Sequence, residues 1–303
     1  MKKVICSSEE SLYRIESIRW RKRMEMLNPL GDTVVVLPCS MKKPYSNSKS
    51  HQIFKKVSRK VQEVILTSPF GICPREMENT YPIQSYDVSV SGKWSFEEKK
   101  VAGELLNSYL KDKTIIAHVA GGYREVCKEY LDNAIYTVVD DKPTSNDSIY
   151  NLRMELKKYP SIKRRDKVLN GLKSIAIYQF GKLGENFIDD DTISKGMFHK
   201  KIVNKTGQIA LLNGQRGLYS LTLKGGEILK NLGINIVEID FDLTTNTVFV
   251  PGIKSADKNI IPNDEVVIVR NDEVVGVGKA IISGNEMEKA NKGIAIRLKH
   301  RKK

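Results

Sequence analysis

Apolar and polar positions in the first half of the chain follow an alternating order of strand-like and helix-like periods. A β-branched run at residues 34–37 predicts a buried strand, and apolar residues at helical spacing occupy residues 51–64. The alternation continues with strands at 64–66, 114–119 and 134–139 and helices at 96–110 and 123–131. Because no two-residue hairpin signal separates these elements, we predict an α/β domain in three layers with a mostly parallel sheet.

The second half of the chain has a different pattern. Pro160 and the charged run at 163–167 indicate a boundary, so we predict a catalytic core domain at residues 1–165. Residues 166–246 predict a small α+β domain that ends with a strand at 234–241. From residue 247 onward, short strands separated by Gly, Asn and Asp predict a small closed β-barrel at residues 247–303, with strands at 248–250, 265–270, 274–282 and 293–298.

Composition narrows the class of partner. The chain has 303 residues with 50 Lys and Arg against 36 Asp and Glu, a net charge of +14 that favours nucleic acid or an anionic membrane surface. No stretch approaches the roughly 20 apolar residues of a membrane span, so we expect a cytoplasmic protein. The four cysteines form no Cys-x-x-Cys pair, so we expect a free, reactive thiol and neither a metal site nor a cofactor.

The most unusual chemistry follows three predicted strands. Ligands of open α/β sheets bind at the carboxyl ends of the strands, so segments 38–51, 68–76 and 120–123 should share one crevice. In the first segment, Cys39 is either an inert core thiol or a nucleophile. Lys43 and His51 would lower its pKa, and we therefore predict that Cys39 is a catalytic nucleophile with Lys43 and His51 as its partners. His51 by itself is more typical of a helix cap, or of a group that orients another side chain, than of a general base.

Further residues are candidates for binding. Arg75 and Glu76 fit base or phosphate recognition, although a surface ion pair explains them equally, and the glycine pair before the predicted helix also fits a tight turn. The basic C-terminus suits RNA phosphates, with a disordered tail as the alternative. The candidate substrate-binding residues are Ser40, Tyr45, Ser48, Arg75, Glu76, Asp87, Gly121 and Gly122, and the candidate RNA-binding residues are Lys299, Arg301 and Lys302.

The first segment contains a specific signature. Its spacing, Pro-Cys-x-x-x-Lys-Pro-Tyr-x-x-Ser-x-x-His over residues 38–51, resembles that of the archaeosine synthases. The Pro-Arg-Glu at 74–76, followed by Tyr-Pro at 81–82 and Tyr-Asp at 86–87, is similar to the same family, and residues 250–278 resemble a PUA domain. The resemblance covers nearly the whole chain and implies a short form that lacks the N-terminal transglycosylase-like barrel.

The resemblance also implies a reaction. Archaeosine synthases add a nitrogen nucleophile to the nitrile of 7-cyano-7-deazaguanine at position 15 of tRNA. Lysine is the donor now favoured, glutamine or ammonia was the earlier candidate, and a radical SAM partner enzyme completes the modification. Two alternatives stay open: a noncatalytic tRNA-binding subunit, and the binding half of a split tRNA-guanine transglycosylase. A homo-oligomer is also left open, and the sequence does not distinguish covalent from direct attack on the nitrile.

Overall fold

The computed structural model describes residues 4–6, 9–88 and 93–302. Internal contacts divide the chain into two units, Met1–Ser174 and Ile175–Lys303. The finer division into three domains stays a prediction. Across the described residues, no helix combines the length and the apolar character that a membrane span requires.

The first unit alternates helices and strands as its pattern predicts. Its strands are β1 (Val4–Cys6), β2 (Thr33–Pro38), β3 (Gln62–Thr67), β4 (Gly71–Pro74), β5 (Tyr86–Val88), β6 (Thr114–Ala117) and β7 (Ile135–Tyr136). Its helices are α1 (Ile15–Met24), α2 (Lys49–Ser58), α3 (Phe96–Tyr109), α4 (Gly121–Tyr130) and α5 (Asn146–Leu156), and α6 (Arg164–Phe180) runs from this unit into the next. Short 3-10 helices occupy Glu9–Tyr13, Tyr45–Asn47, Arg75–Met77 and Ile83–Ser85.

Five strands form the main sheet in the order β4-β3-β2-β6-β7. β3, β2, β6 and β7 are parallel, and the β2 core positions at residues 34–37 are fully buried. Helices α3 and α4 pack together, as do α2 and α5, which supplies the outer layers of the predicted α/β fold. β1 and β5 form a separate two-stranded parallel sheet.

One strand departs from the parallel prediction. β4 pairs with β3 in an antiparallel hairpin, so Pro74 lies opposite Val64, near the amino end of β3. The intervening turn starts at Ser68, and Gly71 has φ +77, a conformation that glycine adopts without strain. Arg75 and Glu76 therefore leave the sheet at the edge opposite to the one that we predicted.

The second unit contains two sheets. Strands β8 (Ile193–Lys195), β9 (Lys200–Asn204), β10 (Gly207–Asn213) and β11 (Leu218–Leu221) form an antiparallel sheet in the order β11-β10-β9-β8. The remaining elements are α7 (Leu223–Asn231), β12 (Ile236–Ile239), β13 (Thr247–Phe249), β14 (Ile253–Ala256), β15 (Glu265–Arg270), β16 (Glu273–Ala280), α8 (Gly284–Lys289) and β17 (Ile294–Arg301), with 3-10 helices at Lys182–Phe187 and Val250–Gly252.

The C-terminal sheet differs from the prediction in two respects. Its order is β13-β17-β16-β15-β12-β14, which leaves β13 and β14 at the two ends instead of closing a barrel. β12, expected in the α+β domain, pairs with β14 and β15 and belongs to this sheet. Its hydrophobic core includes Val237, Val248 and Ile268, so residues on both sides of the predicted boundary at 246/247 share one core.

Candidate active site

The Cys39 loop and the start of α4 meet at the carboxyl edge of the main sheet. Cys39 follows β2, and its Sγ shares a hydrogen bond of 2.9 Å with the hydroxyl of Tyr123. Tyr123 lies in the first turn of α4, whose preceding strand is β6, the neighbour of β2. The first and third of the predicted segments therefore converge as expected.

The end of β3 completes this crevice through a chain of hydroxyl groups. Thr67, the last residue of β3, hydrogen-bonds the Tyr86 hydroxyl at 2.5 Å, and Tyr86 in turn bonds the Tyr45 hydroxyl at 2.7 Å. Lys43 lies over these rings, with Nζ 4.2 Å from the Tyr86 centroid and 5.4 Å from that of Tyr45. The carboxyl ends of β2, β3 and β6 thus all contribute to the site. The residue that β3 contributes is Thr67 and not the predicted Arg75.

Burial and neighbouring groups have opposite effects on the pKa of the Lys43 ammonium. It donates to the Ser40 carbonyl at 2.6 Å, which folds the loop back on itself. Burial lowers the pKa of Lys43, whereas the Cys39 sulfur and the Asp87 carboxylate act in the opposite direction. Lys43 is therefore a partly desolvated cation beside the thiol, with Asp87 as its nearby counter-charge.

Cys39 is a thiol in this structure. Burial raises its pKa above the usual 9.0, and this outweighs the opposing effects of the Tyr123 hydrogen bond and the Lys43 charge. Burial also raises the pKa of Tyr123. Lys43 favours the thiolate in the predicted direction, but desolvation destabilises the anion more than this one cation stabilises it, and His51 does not contribute to the shift.

His51 serves a different group from the one predicted. Its ring is fully buried, and Nδ1 lies 2.8 Å from Nη2 of Arg75. Because a guanidinium only donates, Nδ1 must accept and the imidazole proton is assigned to Nε2. Burial, reinforced by the Arg75 charge, lowers the pKa of His51 to about 3, so the ring is neutral. The ring hydrogen bond of His51 goes to Arg75 and not to Cys39, so the ring positions Arg75 instead.

Arg75 is committed to internal partners. Its guanidinium pairs with Glu63 and, at 3.2 Å, with Glu78, in addition to His51. Glu78 also accepts a hydrogen bond of 2.8 Å from the backbone N–H of Ser46 in the Cys39 loop. The predicted substrate contact through Arg75 is not what this geometry favours, since its three donors already fix β3 and α2 to the loop.

Glu76 is also occupied. Its carboxylate accepts hydrogen bonds from Gln62 at 2.8 Å and from Asn170 at 2.9 Å. Burial raises its pKa. Glu76 therefore ties β3 to the first half of α6, and it does not pair with Arg75 as the surface alternative supposed.

The remaining loop residues have local structural roles. Ser48 is the N-cap of α2, and its Oγ accepts from the His51 N–H at 3.3 Å. Gly121 has φ +52 and its N–H lies 3.4 Å from Oδ1 of Asp141, whereas Gly122 is buried in the first turn. The glycine pair thus forms the tight turn that orients Tyr123, which matches the turn alternative.

Sequence reasoning missed several residues of the site. Tyr123 and Thr67 were not singled out, although both follow predicted strands directly. Trp94 packs edge-on against Tyr123 with ring centroids 5.3 Å apart. His118, which burial keeps neutral with a pKa of about 4, hydrogen-bonds Thr137 and the Pro143 carbonyl. A strand followed by Gly-Gly-Tyr was the one signal that could have indicated Tyr123.

The predicted RNA-binding residues lie at the C-terminal strand. Lys299 and Arg301 are part of β17, which replaces the disordered-tail alternative for these two positions. Lys299 donates to Ser220 Oγ, Arg301 donates to the Leu243 carbonyl at 3.0 Å, and Lys302 pairs with Glu273 at 2.8 Å. All three are exposed, but Lys302 already has a carboxylate partner.

Comparison with known protein families gives a match for two segments of the chain. Residues 17–156 match a family described as a domain of unknown function, DUF5591, and residues 238–302 match the PUA domain. An archaeosine synthase of Methanocaldococcus jannaschii is 37% identical over 93% of this chain and 52% of its own length. The chain is similar to archaeosine synthases over nearly all of its own residues.

Other relatives support the same grouping. An archaeosine synthase subunit alpha of Methanosarcina acetivorans is 35% identical over 99% of this chain and 52% of its own length. A tRNA-guanine(15) transglycosylase of Methanosphaera stadtmanae is 27% identical over 97% of this chain and 45% of its own. A crystal structure of a protein of unknown function has a TM-score of 0.76 and 28% identity, covering 94% of this chain and all of its own. The present chain spans about half the length of the curated archaeosine synthases that it matches.

Proposed function

We propose that this chain is a transferase of archaeosine biosynthesis that adds a nitrogen nucleophile to the nitrile of 7-cyano-7-deazaguanine at position 15 of tRNA. Its similarity to archaeosine synthases over nearly all of its residues supports the pathway. The observation that carries the chemistry is the hydrogen bond between Cys39 and Tyr123 in a crevice where three strands end. Lysine is the proposed donor, and a radical SAM enzyme is the proposed partner that acts on the product.

In the proposed first step, the Cys39 sulfur attacks the nitrile carbon and forms a carbon–sulfur bond. One carbon–nitrogen π bond breaks, and its electron pair goes to the nitrile nitrogen. Because Cys39 starts as a thiol, its proton must leave as the bond forms. The Tyr123 hydroxyl, 2.9 Å from Sγ, takes that proton while it passes its own to the nitrogen. The product is a neutral thioimidate, and Tyr123 is unchanged.

In the second step, the lysine amine adds to the thioimidate carbon, and the carbon–sulfur bond then breaks. The sulfur leaves with the bonding electron pair and regains a proton from the attacking amine, so the product is an amidine and Cys39 is again a thiol. The Lys43 ammonium stabilises the negative charge that grows on the leaving sulfur, and its charge is held by Asp87. Addition of the thiol to the nitrile, followed by addition of the amine to the more reactive thioimidate, replaces one direct addition of the amine to the nitrile.

The test is to incubate the protein with nitrile-bearing tRNA, with and without lysine, and to analyse both the protein and the nucleosides by mass spectrometry. We expect a lysine adduct of the nucleoside in the complete reaction and a protein–RNA adduct at Cys39 when lysine is omitted. Cys39→Ala should abolish both while leaving tRNA affinity within about threefold, because a nucleophile contributes little to ground-state binding.

Cys39→Ser separates the covalent route from direct attack. A serine hydroxyl has a far higher pKa than a thiol, so a covalent mechanism predicts loss of turnover by at least about 100-fold. Near-normal turnover by the serine variant would contradict covalent catalysis and leave direct attack by the amine. A protein that binds tRNA but forms no adduct would instead support the noncatalytic subunit, and base exchange that appears only with a second chain would support the split transglycosylase.

A further inference from the structure

A cationic groove runs along the exposed side of α2, directly after the Cys39 loop. It has a volume of about 440 Å³ and is lined by Ser46, Gln52, Lys55, Lys56 and Arg59. Gln52 lies three residues before Lys55 and four before Lys56, and Arg59, the C-cap, lies four after Lys55, so the four side chains lie on one broad face of α2 and its C-terminal end. No carboxylate is among the lining residues.

The three cations of this groove lack ion-pair partners within the described residues. Lys55, Lys56 and Arg59 are all exposed, and no described carboxylate lies within 4.0 Å of them. Glu78, which accepts from the Ser46 N–H at the loop end, does not line the groove and pairs with Arg75, a cation that it shares with Glu63. The groove therefore presents a net charge of about +3 to an incoming molecule.

Stabilisation of α2 does not account for this charge. Cations in the last turn of a helix favour its dipole, and Lys55 and Lys56 occupy that turn. However, Lys167 from α6 already donates to the carbonyls of Arg59 and Val61 at the end of α2. Burial lowers the pKa of Lys167, the Glu63 and Glu76 carboxylates act in the opposite direction, and the charge of Lys55 lowers the pKa further, so Lys55 is repelled by Lys167. The row of three cations thus suits an external anion better than the helix itself.

We infer that this groove binds the phosphate backbone of the RNA whose base is presented to Cys39. The three cations at residues 55, 56 and 59 lie within about 6 Å along the helix axis, and the closely spaced phosphates of a nucleic-acid strand place more than one negative charge within that distance. Ser46 belongs both to the groove and to the loop that carries Cys39, so a strand bound here runs up to the reactive thiol. The RNA in this inference is the tRNA of the proposed function.

The test compares two sets of substitutions in the full chain by tRNA binding at several salt concentrations. One variant combines Lys55→Gln, Lys56→Gln and Arg59→Gln, which keep long side chains on the helix. The matched control combines Lys100→Gln, Lys111→Gln and Lys128→Gln, which are exposed lysines of the same unit without ion pairs among the described residues. Both variants remove three charges, and thermal melting verifies that each is folded.

We expect the groove variant to lose tRNA affinity on the order of tenfold at low salt and to reduce the slope of log K against log salt by about 2, whereas the control changes little. Equal effects in both variants, or no effect in the groove variant, would overturn the inference. Single-turnover rates at saturating tRNA keep the two proposals distinct. A groove variant that binds tRNA weakly but reacts at the normal rate when saturated supports the RNA-binding role of the groove. If the wild type binds nitrile-bearing tRNA but does not convert it, only the proposed reaction is contradicted.

Discussion

At the scale of single residues, the site combines a protonated thiol, which is the proposed nucleophile, with a hydroxyl within hydrogen-bond distance. Burial raises the pKa of Cys39, and the Tyr123 hydrogen bond and the Lys43 charge oppose that effect without reversing it. A thiol held in this state is protected from oxidation and alkylation until a substrate enters. In the proposed mechanism, activation of this thiol depends on Tyr123, which sequence reasoning did not identify.

The protonation state of Cys39 can be measured without substrate. Alkylation of Cys39 by iodoacetamide should rise with pH and reach half its maximum above pH 9, because only the thiolate reacts. Tyr123→Phe removes a hydrogen bond that lowers the pKa, so the midpoint should move to still higher pH. Cys39→Ala supplies the background from the three buried cysteines. A midpoint below pH 8 in the wild type would contradict the protonated thiol.

The same Tyr123→Phe variant addresses catalysis. Loss of the phenolic proton relay should reduce the rate of nitrile addition by about 100-fold or more, the usual contribution of a positioned acid or base. Affinity for tRNA should stay within about threefold. Single-turnover kinetics would measure the rate, and an unchanged rate would remove Tyr123 from the mechanism.

Two buried histidines make stability depend on pH. The pKa of His51 is about 3 and that of His118 is about 4 in the folded chain, against 6.5 when exposed. Between the folded and unfolded pKa values the unfolded state binds more protons. The contribution of each neutral histidine to the free energy of unfolding is therefore complete above pH 6.5, and it is lost as the pH falls toward about 3 for His51 and about 4 for His118. We expect a slope of up to about 1.4 kcal/mol per pH unit for each histidine below pH 6.

Denaturant unfolding between pH 7 and pH 5 would measure this dependence. His118→Gln should reduce the slope by about half, whereas His199→Gln, at an exposed position, should leave it unchanged. Equal slopes in the wild type and the His118 variant would mean that the buried ring titrates normally.

At the scale of elements, the sequence predicted the alternation of strands and helices and the convergence of two loops. Strand β2 and the Gly-Gly-Tyr start of α4 lie where the apolar pattern indicated, because parallel strands bring their carboxyl ends to one edge. β4 could not be predicted in the same way. Four residues are too few to show a period, and the hairpin turn has Pro and Phe where a two-residue signal would have Asn or Gly.

The reversal of β4 explains why the predicted binding residues became structural. It carries Arg75 to the amino end of β3, where Glu63 lies, and the long side chain then reaches back to His51. Sequence reasoning also misassigned β12, because a short apolar strand carries no information about which sheet it joins. Both errors concern long-range pairing and not local preference.

The Arg75 cluster gives a prediction at this scale. Arg75→Met would leave Glu63 buried without its cation, and removal of one partner of a buried ion pair typically costs about 3–5 kcal/mol. The double variant Arg75→Met with Glu63→Gln should recover part of that loss. Denaturant unfolding of the single and double variants would measure the coupling, and additive losses would show that the pair contributes little.

At the scale of the whole molecule, the net charge of +14 is expressed as separate cationic surfaces in the two units. The first unit has the α2 groove. In the second unit, Arg297 and Arg301 are exposed on β17, whereas the neighbouring Ile296 is buried. Because β12 pairs with β14 and β15, removal of the C-terminal residues from 248 onward would leave β12 without its neighbours, so substitutions test this surface more cleanly than truncation.

The last prediction concerns β17. If its arginines bind tRNA phosphates, the combined change Arg297→Gln and Arg301→Gln should weaken tRNA binding and lower the slope of log K against log salt by about 1 to 2. Lys195→Gln with Lys201→Gln, two exposed lysines of the antiparallel sheet in the same unit, is the matched control. Salt titrations monitored by fluorescence anisotropy would measure both slopes. Since phosphate contacts carry no base information, the loss should be equal for nitrile-bearing and unmodified tRNA. A loss confined to the modified tRNA would mean that β17 reads the base and does not simply anchor the backbone.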